Sequence, residues 1–272
     1  MDCDLHIHTT YSDGLLTPEE VVKKAKELNL SAIAIADHDA VGGIEPAKKA
    51  GEVLGIEVVP CLELSCLFDN IDIHILGYFI DYRNSELLDF LERAQRQRLE
   101  RAKKIIGKLS SQGIKIEMER VLAVAGGGSV GRPHIAQVLM EDGYVSDLNE
   151  AFMKFIGYHC PAYVPKMEVS LHEGVALIKK YKGIPILAHP GTYPGEKILP
   201  EAIKSGVMGI EVWHPEHSSV KTESLLAIAR QENLLVTGGS DCHGGRKGEI
   251  LIGKVRIPSS YLWELKKGRF DF

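Results

Sequence analysis

The chain has 272 residues, of which 44% are hydrophobic, 25% charged and 7% aromatic, a composition typical of globular proteins. Its 37 acidic and 32 basic residues give a net charge of −5, which excludes a general nucleic-acid coat. No apolar run approaches the roughly 18 residues of a membrane-spanning helix. The acidic N-terminus and five cysteines without metal or disulfide spacing predict a cytoplasmic protein with reduced thiols, no signal peptide and no membrane contact.

The first part of the chain alternates strand and helix patterns. Residues 4–8 form a short apolar-leaning strand. Thr17 as N-cap, Pro18 in the first turn and Glu20 completing a capping box predict a helix start. The continuous apolar run at 32–36 is typical of a strand buried on both faces. The same alternation predicts a helix at 44–54 and strands at 56–64 and 71–79.

The middle of the chain breaks this rhythm. Residues 85–112 carry one long helical pattern, which the glycine at position 113 can end. A glycine run at 126–128 and a helix opening at Pro133 follow. We therefore predict a helical insertion over 84–160 in a domain formed by residues 1–83 and 161–272.

The last part returns to alternation, with each helix preceding a strand. The predicted helices are 171–181, 200–205 and 219–232, and the predicted strands are 184–188, 208–213 and 234–238. Alternation with short connections predicts an α/β fold with a mostly parallel sheet. Periodicity leaves open whether the sheet is open or closed into a barrel.

Histidine and acidic side chains recur where these strands end, or within the strand in the case of His74. The set is His6, His8, Asp37, His38, Asp39, Glu63, His74, His189, Glu211, His214, Asp241 and His243. The carboxyl ends of parallel strands lie on one face of such a fold, so we expect these groups to meet in one pocket.

The spacing of these residues favours metal binding. His6 and His8 are two apart on a strand and point to the same side, and Asp241 and His243 repeat that spacing. Imidazole and carboxylate without paired thiolates suit Mn, Fe or Zn. The set is too large for one ion, so we predict two to three ions, with Glu63 as the bridging ligand. Clustered ions are typical of phosphoester hydrolysis.

The basic residues on the long helix can be interpreted in two ways. The face that carries Arg98 and Arg101 is either an ordinary solvated surface or a set of contacts to a phosphate at the pocket rim. Arg132 is a sharper candidate, because it lies between the glycine-rich turn and a helix start, where anions are favoured.

Five segments resemble the PHP family, named for polymerase and histidinol phosphatase. They are 4–14 (DLHIHTTYSDG), 36–39 (ADHD), 132–134 (RPH), 188–190 (AHP) and 240–243 (SDCH). The resemblance runs in order along nearly the whole chain. It implies a distorted (β/α)7 barrel, as in amidohydrolases, with a helical insertion and up to three divalent metals at the carboxyl ends of the strands.

The resemblance also implies a ligand set for each metal. One ion takes His6, His8, Glu63 and Asp241; a second takes Asp13, His38 and His243; a third takes Glu63, His74 and His134. Glu211 and His214 have no ligand role in that pattern. His189 is left without a metal and is expected to hold the phosphate with Arg132 or to protonate the leaving oxygen.

The long insertion resembles that of 3′,5′-nucleoside bisphosphate phosphatases and related 5′-end exoribonucleases. The expected reaction is hydrolysis of a nucleotide phosphate monoester, or action on short 5′-phosphorylated RNA, by a metal-bound hydroxide, without binding of duplex DNA. Histidinol-phosphate phosphatase is the nearest alternative. An amide-bond metallohydrolase and a non-catalytic metal-binding module remain open as other classes.

Overall fold

The protein is described by a computed structural model that covers residues 2–165, 169–246 and 248–268. The strands are β1 (Asp2–Ile7), β2 (Ala32–Ile35), β3 (Glu57–Pro60), β4 (Glu63–Phe68), β5 (Ile71–Tyr78), β6 (Ile184–Leu187), β7 (Gly209–Trp213), β8 (Leu235–Gly238) and β9 (Ile257–Pro258). The α-helices before residue 152 are α1 (Pro18–Glu27), α2 (Ile44–Leu54), α3 (Ser85–Ser111), α4 (Met118–Ala125), α5 (Arg132–Glu141) and α6 (Leu148–Ala151). A π-helix (Phe152–Ile156) continues α6, and α7 (Leu171–Lys180), α8 (Ile198–Lys204), α9 (Ser219–Gln231) and α10 (Ser259–Gly268) follow.

The helix starts follow the local sequence signals. At α1, the Thr17 hydroxyl accepts a hydrogen bond from the Glu20 backbone at 3.3 Å, and the Glu20 carboxylate accepts one from Thr17 N at 2.8 Å. This is the predicted capping box, which satisfies two backbone donors of the first turn. None of the helices in the described ranges is long and apolar enough to span a membrane. No disulfide joins cysteines of these ranges.

The strands form two hydrogen-bonded sheets rather than one. The first has the order β3-β2-β1-β9 and the second β4-β5-β6-β7-β8. Two isolated parallel bridges, Ile7–Cys242 and His38–Glu63, connect them. The α/β prediction is therefore confirmed, whereas the closed barrel is not, because no continuous ladder closes among the described residues.

Most strand pairs are parallel, as the sequence predicted, but β5 departs from that arrangement. β5 runs antiparallel to both β4 and β6. The predicted strand 56–64 is also divided, since Cys61 and Leu62 belong to neither strand: β3 pairs with β2, and β4 pairs with β5. Since β5 is reversed, its early residue His74 lies beside the carboxyl end of β6, where Ala188 N donates to His74 O at 3.1 Å.

The segment predicted as an insertion contributes most of a second core. Side chains of α4, α5 and the second half of α3, such as Ile105, Val121 and Leu139, form a separate buried cluster. The first half of α3 packs Leu87 and Leu91 into the main core instead. The long helix therefore connects the two cores and carries basic residues between them.

Candidate metal centre

The first-strand histidines lie at the centre of the site. His6 and His8 are fully buried, with their Nε2 atoms 3.2 Å apart. Asp241 Oδ1 lies 3.0 Å from His8 Nε2, and Glu63 Oε2 lies 3.3 Å from the same atom. These four residues offer ligand atoms around one point. The structure thus brings together the set that the sequence assigned to the first ion.

A second group adjoins the first. His8, Asp13, His38 and His243 also offer ligand atoms around one point. Asp13 Oδ1 is 3.4 Å from His243 Nε2, and Asp13 Oδ2 is 4.0 Å from His38 Nε2. The three residues predicted for the second ion are therefore together, and His8 lies between both groups.

The third group is centred on the other side of Glu63. His38, Glu63 and His74 form it, with His74 Nδ1 2.9 Å from Glu63 Oε1. His189 joins them: its Nε2 lies 3.0 Å from Glu63 Oε1 and 3.4 Å from His74 Nδ1. Glu63 therefore contacts residues of all three groups, as a bridging ligand must.

His134 does not join these groups in the described structure. Its Nδ1 accepts a hydrogen bond from Gly131 N at 3.0 Å, at the start of α5. Burial lowers the pKa of this imidazole to about 4, so it is neutral near pH 7. A neutral ring that accepts through Nδ1 carries its proton on Nε2, so neither nitrogen offers a lone pair to a metal. His189 is thus the histidine next to Glu63 and His74, while His134 Nε2 is buried without a hydrogen-bond partner among the described residues.

Acceptor-only partners fix the tautomers of three histidines. His6 Nδ1 is 2.9 Å from the Glu211 carboxylate, and His243 Nδ1 is 2.8 Å from the carbonyl oxygen of Asp241. The Thr192 hydroxyl donates to the His189 carbonyl, so it accepts from His189 Nδ1 at 3.1 Å. Each ring therefore carries a hydrogen on Nδ1 and turns the Nε2 lone pair to the cluster, the arrangement of metal-ligating histidines.

Carboxylates outside the three groups hold the loops that carry the ligands. Asp37 accepts hydrogen bonds from Thr9 N, Thr9 Oγ1 and Ser12 Oγ, and so fixes the loop that bears Asp13. Asp4 accepts from Ser240 N at 2.8 Å, next to Asp241. These contacts set the ligand positions through the backbone.

Glu211 and His214, counted from their positions in the sequence, act as partners of ligands. Glu211 Oε2 accepts from His189 N at 2.8 Å, while Oε1 orients His6. His214 Nδ1 accepts from Glu216 N at 3.1 Å, so its Nε2 hydrogen points to Asp241 Oδ2, 3.4 Å away.

Backbone strain accompanies the site. Asp39, His189 and Asp241 have φ angles of 48°, 29° and 48°, a region that side-chain-bearing residues rarely adopt. Positive φ also occurs away from the cluster, for example at Asn29 and Lys182, so it is not confined to the site.

The electrostatics of the cluster favour bound positive charge. Burial raises the pKa of a carboxyl group, but the surrounding imidazoles outweigh it and hold the pKa of Glu63, Asp13 and Asp241 well below their usual values. Burial likewise opposes protonation of His8, yet Asp241 and Glu63 raise its pKa to about 10. The buried carboxylates thus stay ionised and favour positive charge beside them, either on protonated imidazoles or on metal ions.

The residues present fit divalent metals. His38 Nδ1 and Glu63 Oε2 lie 2.9 Å apart, yet neither atom has a partner with hydrogen-bond geometry. Asp13 Oδ1 is likewise buried without a hydrogen-bond partner. Lone pairs that face each other at this distance in a buried site are expected where a cation lies between them. The donor set of imidazole and carboxylate suits Mn, Fe or Zn.

Arginines from the insertion line the pocket above the cluster. Arg132 contacts Asp72 Oδ2 at 3.1 Å, and Arg101 contacts the same oxygen at 3.4 Å. Burial and the nearby Arg132 lower the pKa of Arg101 to about 10, which leaves it charged at pH 7. Two guanidinium groups that share one carboxylate leave a net positive charge beside His74.

Arg98, the third arginine predicted to contact the substrate, makes its hydrogen bonds to other residues of the protein. Its Nε donates to Asp39 Oδ2 at 2.7 Å, one terminal nitrogen donates to Ser65 Oγ at 2.8 Å, and the other faces Val130 O at 3.4 Å. Asp39 directly follows the ligand His38, so this contact ties α3 to the cluster.

Sequence reasoning missed Arg246 and Asp72. Arg246 Nε donates to the carbonyl oxygen of Asp13 at 2.6 Å, and its side chain lines the pocket. Its signal was a basic residue three positions after His243. Asp72 lies two residues before His74 on β5, and therefore on the same side of that strand.

The pocket is a cavity of about 280 Å³. Its lining combines the candidate metal ligands, such as Glu63 and Asp241, with Arg101 and Arg132 and with Leu148, Asn149 and Phe152. The cavity therefore brings candidate cation ligands together with basic and apolar side chains.

The PHP domain model matches residues 4–107 of the chain. The chain is 33% identical over 271 residues to the 5′-3′ exoribonuclease Rnm of Escherichia coli, covering 96% of this chain and 92% of that protein. It is 31% identical over 256 residues to the 3′,5′-nucleoside bisphosphate phosphatase of Chromobacterium violaceum, covering 92% and 90%. A crystal structure from Bifidobacterium adolescentis, described as a metal-dependent phosphoesterase, superposes with a TM-score of 0.88 at 32% identity, covering 97% and 94%. The chain therefore belongs to the PHP family and is a metal-dependent phosphoesterase.

Proposed function

We propose that the protein hydrolyses a phosphate monoester of a nucleotide, either a 3′,5′-nucleoside bisphosphate or the 5′ end of short RNA. The observation that carries this proposal is the pair Arg101 and Arg132 beside a cluster built for cations. A ligand there meets positive charge from two directions, which suits a substrate with more than one phosphate. The names of the two relatives above support the nucleotide.

The proposed roles follow from the contacts. His6, His8, Glu63 and Asp241 hold one ion, Asp13, His38 and His243 a second, and Glu63 with His74 and His189 a third. Bound ions of Mn, Fe or Zn supply a water of lowered pKa and positive charge for the phosphoryl oxygens. Arg132 orients a phosphate through its planar fork, and Arg101 adds charge beside it.

We also propose an architecture for this site. The two sheets act as one distorted (β/α)7 barrel across their isolated bridges, formed by residues 1–83 and 161–272. Residues 84–160 are a cap that closes over the ligand cluster. The separate core of the insertion and the arginines of α3 and α5 support this division.

Steady-state kinetics with Mn²⁺ test the proposal. We expect the highest kcat/KM on adenosine 3′,5′-bisphosphate or on a 5′-phosphorylated oligonucleotide, and the ratio between them distinguishes a mononucleotide enzyme from an RNA-end enzyme. Preference for histidinol phosphate, or turnover of amide substrates alone, would overturn the nucleotide assignment. Bound metal is measured in the same samples, and fewer than two equivalents per chain contradict the clustered-ion mechanism.

The role of Arg132 has its own test. Arg132→Met removes the charge but keeps much of the side-chain volume, so we expect KM to rise roughly 10- to 100-fold, the loss of one charge-assisted contact. Arg120→Met is the matched control, because Arg120 pairs with Glu141 on an exposed surface. Equal kinetics of the two variants contradict a phosphate contact at Arg132.

A further inference from the structure

The insertion presents an aromatic surface in the wall of the pocket. Leu148 and Phe152 are four residues apart where α6 passes into the π-helix, and both line the cavity. Asn149, three residues before Phe152, lines it as well. Residues at these spacings share one helical face. Single π-helical turns are rare and are frequent at functional sites.

This surface is connected to the ligand cluster by a chain of contacts. Asp72 lies on the same side of β5 as His74, and Arg132 contacts Asp72 at 3.1 Å. The Arg132 guanidinium lies 5.4 Å from the Phe152 ring centroid and 5.5 Å from that of Tyr163. From the cluster outward, the pocket therefore offers cation-binding ligands, then guanidinium groups, then a half-buried aromatic ring.

The residues of this wall define the chemistry of the ligand that can bind against it. It carries negative charge next to Arg132 and a flat, weakly polar ring within one ribose length of that charge. Aromatic side chains stack on every nucleobase, because all bases have a π-face. The neighbouring amide of Asn149 can pair with polar atoms at a base edge.

We infer that Phe152 is the stacking platform for the nucleobase of the substrate, and thus a specificity-determining residue. This inference rests on the proposed function, and it assigns substrate choice to the α6–π-helix segment. The catalytic step itself does not involve Phe152. Loss of the ring therefore weakens binding of substrates that carry a base and leaves base-free phosphoesters unaffected.

The test compares two substrates on the complete enzyme loaded with Mn²⁺. One is adenosine 3′,5′-bisphosphate, and the other is an abasic 3′,5′-bisphosphate in which hydrogen replaces the base. For Phe152→Leu we expect KM on the nucleotide to rise about tenfold, the effect of losing one stacked base, with kcat nearly unchanged. The KM on the abasic substrate is expected to remain at the wild-type value, and Phe152→Tyr is expected to restore nucleotide binding.

Controls separate the possible failures. Met153→Ala changes the next residue, which is 74% exposed, and should leave both KM values unchanged. If Phe152→Leu changes KM equally for both substrates, or for neither, the stacking inference is wrong. The proposed phosphatase activity is not affected by that result. If the wild-type enzyme hydrolyses no nucleotide, the proposed function itself fails, and the stacking inference fails with it.

Discussion

The strand-end cluster and the insertion hold their functional side chains in opposite ways. In the cluster, His6, His189 and His243 are each fixed by an acceptor at Nδ1 and turn the Nε2 lone pair inward. The insertion arginines that line the pocket are held by carboxylates outside the insertion, Arg98 by Asp39 and Arg101 and Arg132 by Asp72. The first arrangement demands cations, and the second leaves charge available for anions. We infer that the strands determine the reaction and that the insertion determines which phosphoester enters.

The largest expected effect comes from removing a ligand of the cluster. Asp241→Asn keeps the side-chain shape, and asparagine tolerates the positive φ at this position. Loss of the carboxylate charge should lower kcat by about a thousandfold, equivalent to roughly 4 kcal/mol of transition-state stabilisation. The measurement is kcat with saturating Mn²⁺, and Glu52→Gln on the exposed face of α2 is the control. Turnover near the wild-type rate would show that the cluster is not the catalytic centre.

Substitution of Arg98 tests whether this arginine binds the substrate or stabilises the fold. The sequence made it a substrate contact, whereas the structure pairs it with the buried Asp39. Arg98→Met leaves that carboxylate without its cation, so we expect the free energy of unfolding to fall by about 3–5 kcal/mol. Urea unfolding measures this loss, and Arg96→Met, which breaks an exposed pair with Glu92, should change little. If Arg98→Met is as stable as Arg96→Met and has a raised KM, Arg98 contacts the substrate, as the sequence predicted.

The two regions also differ in how far the sequence predicts them. His6, His8 and Asp241 could be found because alternate residues at strand ends share a side and strand ends converge. The reversal of β5 could not be found from periodicity, since parallel and antiparallel strands bury similar apolar runs. Asp72 was missed for that reason, and so was its pairing with Arg101 and Arg132.

The insertion shows most clearly which contacts the sequence cannot predict. The helical pattern placed α3 within one residue of its end, but it could not say which arginine meets a carboxylate from another part of the chain. His134 matched a family motif, but the hydrogen bond that its Nδ1 accepts from Gly131 favours the tautomer with the proton on Nε2. A local contact of this kind depends on the backbone conformation at a helix start, which the residue order alone leaves undetermined.

A comparison of His189 with His134 sharpens the division between the regions. His189→Asn removes an Nε2 that faces Glu63 and His74, so we expect the variant to lose one bound metal equivalent and at least a hundredfold in affinity at that site. His134→Asn should keep the wild-type metal content, because its ring caps a helix. Elemental analysis after dialysis against dilute Mn²⁺ gives both values. The opposite result would restore His134 as the third ligand and leave His189 as the proton donor.

Glu211 tests whether the partners of ligands matter as the geometry suggests. Glu211→Gln keeps the shape but removes the charge that orients His6, so Mn²⁺ affinity should fall about 10- to 100-fold. At saturating Mn²⁺ the variant should recover most of its activity, which a catalytic residue would not do. Glu201→Gln, which alters a partly exposed ion pair with Lys204 on α8, is the control. Unchanged Mn²⁺ affinity would mean that the contact to His6 is only structural.

The smallest expected effect lies in the scaffold itself. Thr17→Ala removes the hydroxyl that caps α1 and should lower the free energy of unfolding by about 1 kcal/mol. Because Thr17 contacts neither the ligand cluster nor the insertion arginines among the described residues, kcat, KM and metal content should stay at wild-type values. Thr17→Ser is the conservative control and should retain most of the stability. A change in Mn²⁺ affinity in Thr17→Ala would show that the strand-end cluster is less rigidly held than its hydrogen bonds indicate, since α1 follows directly on the loop that carries Asp13.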